Sequence, residues 1–96
     1  MRSLYAAIIL AASVTTASAT VDGDAMDLGE LLGRADACGI EIPADKLVQF
    51  TTSKDLLDTR PMSLMEQARR VTTKRYEASE ANCAVTRASL EHNGLI

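Results

Sequence analysis

Aromatic residues are scarce in this chain of 96 residues, which has no tryptophan, one phenylalanine and two tyrosines. Tyr5 falls in an N-terminal leader, so Phe50 and Tyr76 are the aromatic residues left for a folded domain. The core must therefore come from Leu, Ile, Val, Met and Ala side chains. No aromatic residue is interleaved with a basic cluster, which argues against nucleic acid as a partner, because single strands are usually held by stacked rings.

Histidine is almost absent as well, because His92, close to the end of the sequence, stands alone. Nucleophilic catalysis needs a nucleophile, a base and an orienting group, and a closed zinc site needs four nitrogen or sulfur ligands. One histidine and two cysteines supply neither set. The sequence therefore predicts a protein without enzymatic activity, catalytic residues, bound metal or cofactor.

Residues 1–19 have the three parts of a secretory signal peptide. Arg2 supplies the positive charge, residues 4–14 form an apolar run broken only by Ser13, and residues 17–19 offer small side chains to a signal peptidase. The run is shorter than the roughly 20 apolar residues that cross a bilayer. We therefore predict a signal peptide at 1–19 and a single helical domain at 20–96, without stable membrane insertion after cleavage. The domain would be exported, to the periplasm of a Gram-negative source and otherwise to the medium.

The cysteines number only two, Cys38 and Cys83. An exported chain meets an oxidising environment, where a lone pair of cysteines is typical of a disulfide. Redox-active pairs usually lie close together at the start of a helix, whereas these two lie far apart in the sequence. The sequence therefore predicts a structural disulfide between Cys38 and Cys83.

Apolar spacing predicts a first helix from about residue 24 to Cys38, preceded by a short disordered lead-in at 20–23. Its apolar face recurs at three- and four-residue intervals, and Gly39 ends it. Gly29 and Gly33 lie four residues apart inside this helix and would let another helix approach closely. No segment alternates with a period of two, so no sheet is expected.

A second helix is predicted to begin at Pro43. Residues 52–58 leave two alternatives, in which this helix either continues to Leu57 or stops and is followed by a short separate helix. A long third helix is predicted to begin with a capping box at Ser63 and Glu66 and to run unbroken to the stop at residues 93–94.

These elements predict an all-α fold, an up-down-up bundle of three helices, or four if residues 52–58 form one of their own. In this topology Cys38 ends the first helix at the same end of the bundle as Cys83 in the third. The disulfide and the helix order therefore support each other.

The exported domain would be acidic. Arg2 is one of 10 basic residues, so nine remain against 13 acidic residues, a net charge of −4. This balance argues against binding to nucleic acid or to anionic membranes. Basic residues gather midway along the third helix, where they form either a solvated face or a docking surface for an acidic partner protein: Arg69, Arg70, Lys74 and Arg75.

The function that these patterns favour is protein–protein contact without catalysis. An exported helical protein of this kind would be an envelope adaptor, an inhibitor or an immunity-type protein that covers its partner with one helix face. Two alternatives stay open, a periplasmic chaperone that responds to acid or stress and a small secreted effector. The glycines of the first helix also leave a homodimer open.

Overall fold

A computed structural model describes the backbone of residues 2–96 and the side chains of residues 20–96. Four helices make up the fold, α1 (Arg2–Cys38), α2 (Ala44–Ser53), α3 (Thr59–Arg75) and α4 (Glu80–His92). Residues 20–96 contain no strand, and Cys38 is bonded to Cys83. The predicted all-α bundle of three to four helices with one disulfide is confirmed. The predicted signal peptide and its cleavage site, at residues 1–19, lie outside the residues whose side chains the structure describes.

The segment at residues 20–23 corrects one prediction, since it is helical and forms part of α1. Val21 packs against the hydrophobic core, and the carboxylate of Asp22 accepts hydrogen bonds from Nε and Nη2 of Arg60 in α3. The predicted disordered lead-in is therefore wrong, because these contacts hold the segment on the bundle.

Three helices end in the same way, with a left-handed residue followed by an apolar one. Gly39 and Gly94 have φ angles of 67° and 72°, as the sequence predicted for α1 and α4. Asp55 takes the same conformation, with a φ of 56°, after α2. At each end the next amide binds a carbonyl of the last turn, as Leu56 N does with Thr51 O at 2.9 Å. These are Schellman motifs, and they place Ile40, Leu56 and Leu95 against the bundle.

Residues 52–58 follow neither of the predicted alternatives. α2 stops at Ser53, and residues 56–58 form a non-helical connection before α3. Leu56 is fully buried, whereas Leu57 beside it is exposed. The fourth helix of the bundle thus comes from another part of the chain.

That part is the predicted long third helix, which the structure divides into α3 and α4. α3 begins at Thr59, ahead of Ser63, so the predicted capping box at Ser63 and Glu66 is wrong. α3 ends at Arg75, and the extended Tyr76 begins a short connection to α4. Ser79 caps α4, its Oγ accepting a hydrogen bond from the Asn82 amide at 3.2 Å. This N-cap stabilises the start of a new helix, and the chain reverses direction between α3 and α4.

The four helices run alternately up and down. α1 and α3 are parallel, because contacts between them keep the same order along both helices, from Asp22–Arg60 at one end to Asp36–Arg69 at the other. α4 runs back along α1. Cys38 at the top of α1 and Cys83 in the first turn of α4 have Cα atoms 5.6 Å apart, so the predicted placement of both cysteines at one end is confirmed.

The hydrophobic core lies along one side of α1 and is aliphatic throughout. α1 contributes Ala25, Leu28, Leu32 and Ala35, and the remaining helices and connections close over it with Leu56, Met65, Leu90 and Leu95. Leu95 is fully buried, so it packs back on the bundle after the end of α4. Phe50 packs against this cluster from α2 without entering it.

Candidate functional site

The contact between α1 and α3 is unusually close because two glycines face α3. A Cβ atom at Gly29 would fall on the carbonyl oxygen of Met65 and lie 2.8 Å from the Ala68 Cβ. A Cβ at Gly33 would lie 2.6 Å from the Thr72 Cβ. The predicted approach of another helix to these glycines is therefore confirmed, and that helix is α3 of the same chain. Because α3 covers both glycines within one chain, the structure does not test a homodimer, which stays a prediction.

A bidentate ion pair joins the same two helices near their upper ends. Nε and Nη2 of Arg69 donate hydrogen bonds of 2.6 and 2.9 Å to the two carboxylate oxygens of Asp36. The hydrogen bond from Arg69 lowers the pKa of Asp36 below its usual range, while partial burial opposes that shift. Arg69 is thus engaged within the fold. Its role as a docking residue stays a prediction, and its guanidinium is shared with Asp36.

The other three residues of the predicted basic cluster are arranged differently. Arg70, Lys74 and Arg75 are all exposed on α3. No carboxylate within residues 20–96 lies at ion-pair distance from any of them, since the ion pairs of this region are Asp22–Arg60 and Asp36–Arg69. These three cations therefore remain available to a partner.

An apolar groove lies between α1 and α3, on the side away from Asp36 and Arg69. Its volume is about 260 Å³. Met26 of α1 and Val71 of α3 line it and are 46% and 49% exposed, large fractions for apolar side chains. The other lining residues are Glu30 from α1 and Leu64, Gln67, Ala68 and Thr72 from α3.

The groove continues into a second depression on the outer side of α3, which has a volume of about 390 Å³. Gln67 and Val71 line both, and the second adds Arg70 and Lys74. Apolar surface and unpaired positive charge thus adjoin each other. We call this surface the docking face and define it by five residues, Met26, Leu64, Arg70, Val71 and Lys74.

Sequence reasoning found the basic part of the docking face and missed its apolar part. Leu64, Ala68 and Val71 recur at helical spacing, which is the same signal that a buried stripe gives. Met26 lies on α1, distant in sequence from α3. Only the packing of α1 against α3 brings Met26 to the groove and leaves Val71 outside the core.

A cleft of about 360 Å³ lies on the other side of α1, between α2 and the end of α4. Two cations line it, but both lie over aromatic rings. The Arg34 guanidinium is 5.4 Å from the centroid of Tyr76, and Nζ of Lys54 is 6.0 Å from that of Phe50. Arg34 and Lys54 are thus both engaged in cation–π contacts within the fold. The buried Nε of Arg34 has no hydrogen-bond partner among residues 20–96.

No group of three or more histidine, cysteine, aspartate or glutamate side chains in the described part of the chain is arranged to hold a metal ion. His92 forms the last residue of α4, where the negative end of the helix dipole favours a basic side chain. Both cysteines are bonded to each other.

None of the helices, over the residues described, combines the length and apolar character needed to cross a bilayer. Comparison of the chain with protein-family models, with curated proteins and with solved structures finds no match.

Proposed function

We propose that this chain is an exported helical protein that acts by binding another protein through the docking face. Its role would be that of an envelope adaptor, an inhibitor or an immunity-type protein. The observation that supports this proposal is the apolar groove bordered by unpaired cations. Exposed apolar surface next to charge is typical of protein-binding sites, because burial of the apolar part contributes affinity and the charges select the partner.

Export is supported by the leader at residues 1–19 and by the disulfide. Disulfides persist in secreted and periplasmic proteins and are rare in the reducing cytosol. A disulfide-linked bundle also suits a binding function, because a surface that is already ordered loses less conformational entropy when it binds.

The rigidity of the docking face comes from α1 and α3, which supply all five of its residues. Gly29 and Gly33 bring the two helices into close contact, and Asp36 and Arg69 fix their register. The face is therefore preformed, and a partner would bind it with little rearrangement of the backbone.

The experiment that tests this function is crosslinking in the cell that exports the protein. A photoreactive amino acid replaces Val71 in one variant and Val85 of α4, which is 61% exposed, in the matched control. We expect the probe at position 71 to give one discrete crosslinked product and the probe at position 85 to give none. Absence of a product at position 71, or the same product from both positions, would contradict the proposal.

A further inference from the structure

We propose that the docking face receives an amphipathic helix of the partner whose flank towards α3 is acidic. This inference rests on the proposed function, because it names the chemistry of the partner that the same face would bind. It is carried by the shape of the groove and by the asymmetric distribution of charge along its two sides.

The shape of the groove suits a helix. It lies between two parallel helices, and its apolar residues on α3, Leu64, Ala68 and Val71, have the spacing of one helix face. A third helix laid along such a groove places its own apolar residues between these side chains, as in ridges-into-grooves packing. Pairing with an extended peptide would need an open sheet edge, and residues 20–96 contain no strand.

The charges on the two sides of the groove are opposite. On the α3 side, Arg70 and Lys74 border the outer depression, and Arg75 follows Val71 by about one helical turn. On the α1 side, Glu30 lines the groove itself. A bound helix would therefore carry Asp or Glu on its flank towards α3 and neutral or basic residues on its flank towards α1.

The rest of the molecule makes this positive region distinctive. The chain has a formal net charge of −3, so the molecule as a whole does not attract an acidic partner. Arg70, Lys74 and Arg75 form a local exception. Complementary charges at the edge of an interface mainly raise the association rate and select the orientation, and salt screens both effects.

The test uses three designed helical peptides of about 18 residues, or five turns. They share one leucine and alanine stripe and differ only along one flank, which carries glutamate, glutamine or lysine. Binding to the oxidised protein is measured by fluorescence anisotropy of a label on the peptide. We expect the glutamate peptide to bind about tenfold more tightly than the lysine peptide, with a smaller ratio at high salt.

Charge-reversal variants test whether the preference for the glutamate peptide depends on Arg70 and Lys74. The variant Arg70→Glu/Lys74→Glu should invert the order of the peptides. The control Lys46→Glu/Arg87→Glu, which changes the net charge equally in α2 and α4, should keep it. Circular dichroism verifies that both variants are folded. Equal binding of all three peptides, or the same effect from both variants, would overturn the inference, as would preferential binding to phosphatidylglycerol vesicles through Arg70 and Lys74.

The experiments distinguish failure of the proposed function from failure of the proposed acidic helix. A discrete crosslink at position 71 together with no preference among the peptides would leave the proposed function standing and refute the acidic helix. The reverse combination, an acidic preference without a crosslinked partner in the exporting cell, would refute the function and keep the binding chemistry of the face.

Discussion

The two sides of α1 are held by different means. α3 packs along most of the described length of α1 through glycines that remove side-chain volume, and ion pairs join the two helices at both ends. α4 lies on the other side, where the disulfide ties its first turn and the buried Leu90 and Leu95 hold its end. One interface is thus continuous and non-covalent, while the other is fixed chiefly at its ends.

The difference follows from the side chains that each pair of helices brings to its contact. Close backbone approach yields many small dispersion contacts, so α1 and α3 need no covalent link. α4 offers fewer large apolar side chains, and Val85 points away from the core. A disulfide compensates for such a limited contact, because it lowers the entropy of the unfolded chain without needing interface area.

The largest effect is expected from loss of the disulfide. The double variant Cys38→Ser/Cys83→Ser should lower the free energy of unfolding by about 4 kcal/mol, because the unfolded chain regains the entropy that closing a loop of this length removes. Guanidinium chloride titration of the oxidised protein and of the variant measures the difference. A loss below about 1 kcal/mol would mean that non-covalent contacts alone hold α4 as firmly as α3 is held.

The second effect concerns the glycine contact. Gly29→Ala should destabilise the protein by about 1–3 kcal/mol, because the added methyl group collides with α3. That loss would exceed the gain of about 1 kcal/mol that alanine brings to a helix interior. The same measurement on Gly33→Ala should give a loss in the same direction.

Gly23 provides the matched control for these two glycines. It lies in the same helix, and a Cβ atom built there meets nothing within 4 Å. Gly23→Ala should therefore stabilise the protein by up to about 1 kcal/mol. Stabilisation at all three positions would show that α3 can move away from α1 at no cost, contrary to the tight interface described above.

A smaller effect is expected from the ion pair. The Asp36 and Arg69 side chains are 35% and 43% exposed, so solvent screens their attraction, and Asp36→Asn should cost only about 0.5–1 kcal/mol at pH 7. The pKa of Asp36 is lowered in the folded state. The contribution of the pair is therefore complete above the unfolded pKa of about 3.9 and lost as the pH falls through the lower folded value.

Urea titrations of the wild type and of Asp36→Asn between pH 7 and pH 2 measure this dependence. The difference in free energy of unfolding between the two proteins should stay constant down to about pH 4 and shrink below it. A difference that persists unchanged at pH 2 would show that the ion pair has no part in joining α1 to α3.

Local sequence predicted those parts of the fold that local physics decides. Gly39 and Gly94 are left-handed helix stops, and each is followed by an aliphatic residue that packs back. Asp55 does the same after α2, but aspartate favours this conformation much less than glycine, so the pattern did not reveal it. The disulfide was predictable because an exported chain meets an oxidising environment and the helix order places both cysteines at one end of the bundle.

The division of the third helix was not predictable from periodicity. Tyr76 and Cys83 keep to the apolar stripe of α3 although the chain reverses between them, so the spacing gave no sign of a break. Ser79 was the available signal, because serine is a favoured N-cap. Its hydroxyl and the Asn82 amide together mark the start of α4.

The candidate site was less predictable from the sequence than the fold, because it depends on contacts between α1 and α3. The charge cluster was visible in the sequence, but the ion pair that Arg69 makes with Asp36 was not, because Asp36 lies on another helix. Met26 and Val71 become one surface only after Gly29 and Gly33 have drawn α1 and α3 together. A helical period alone does not distinguish an exposed apolar residue from a buried one.

Native-state amide hydrogen exchange tests most directly whether α1 and α3 form the rigid platform on which the docking face depends. In the oxidised protein, the slowest-exchanging amides should lie in residues 28–36 and 65–72, where the two helices touch. Those of α2 and α4 should open at lower free energy, because their contacts are fewer. Equal protection of all four helices, or slowest exchange in α4, would contradict a platform built from α1 and α3.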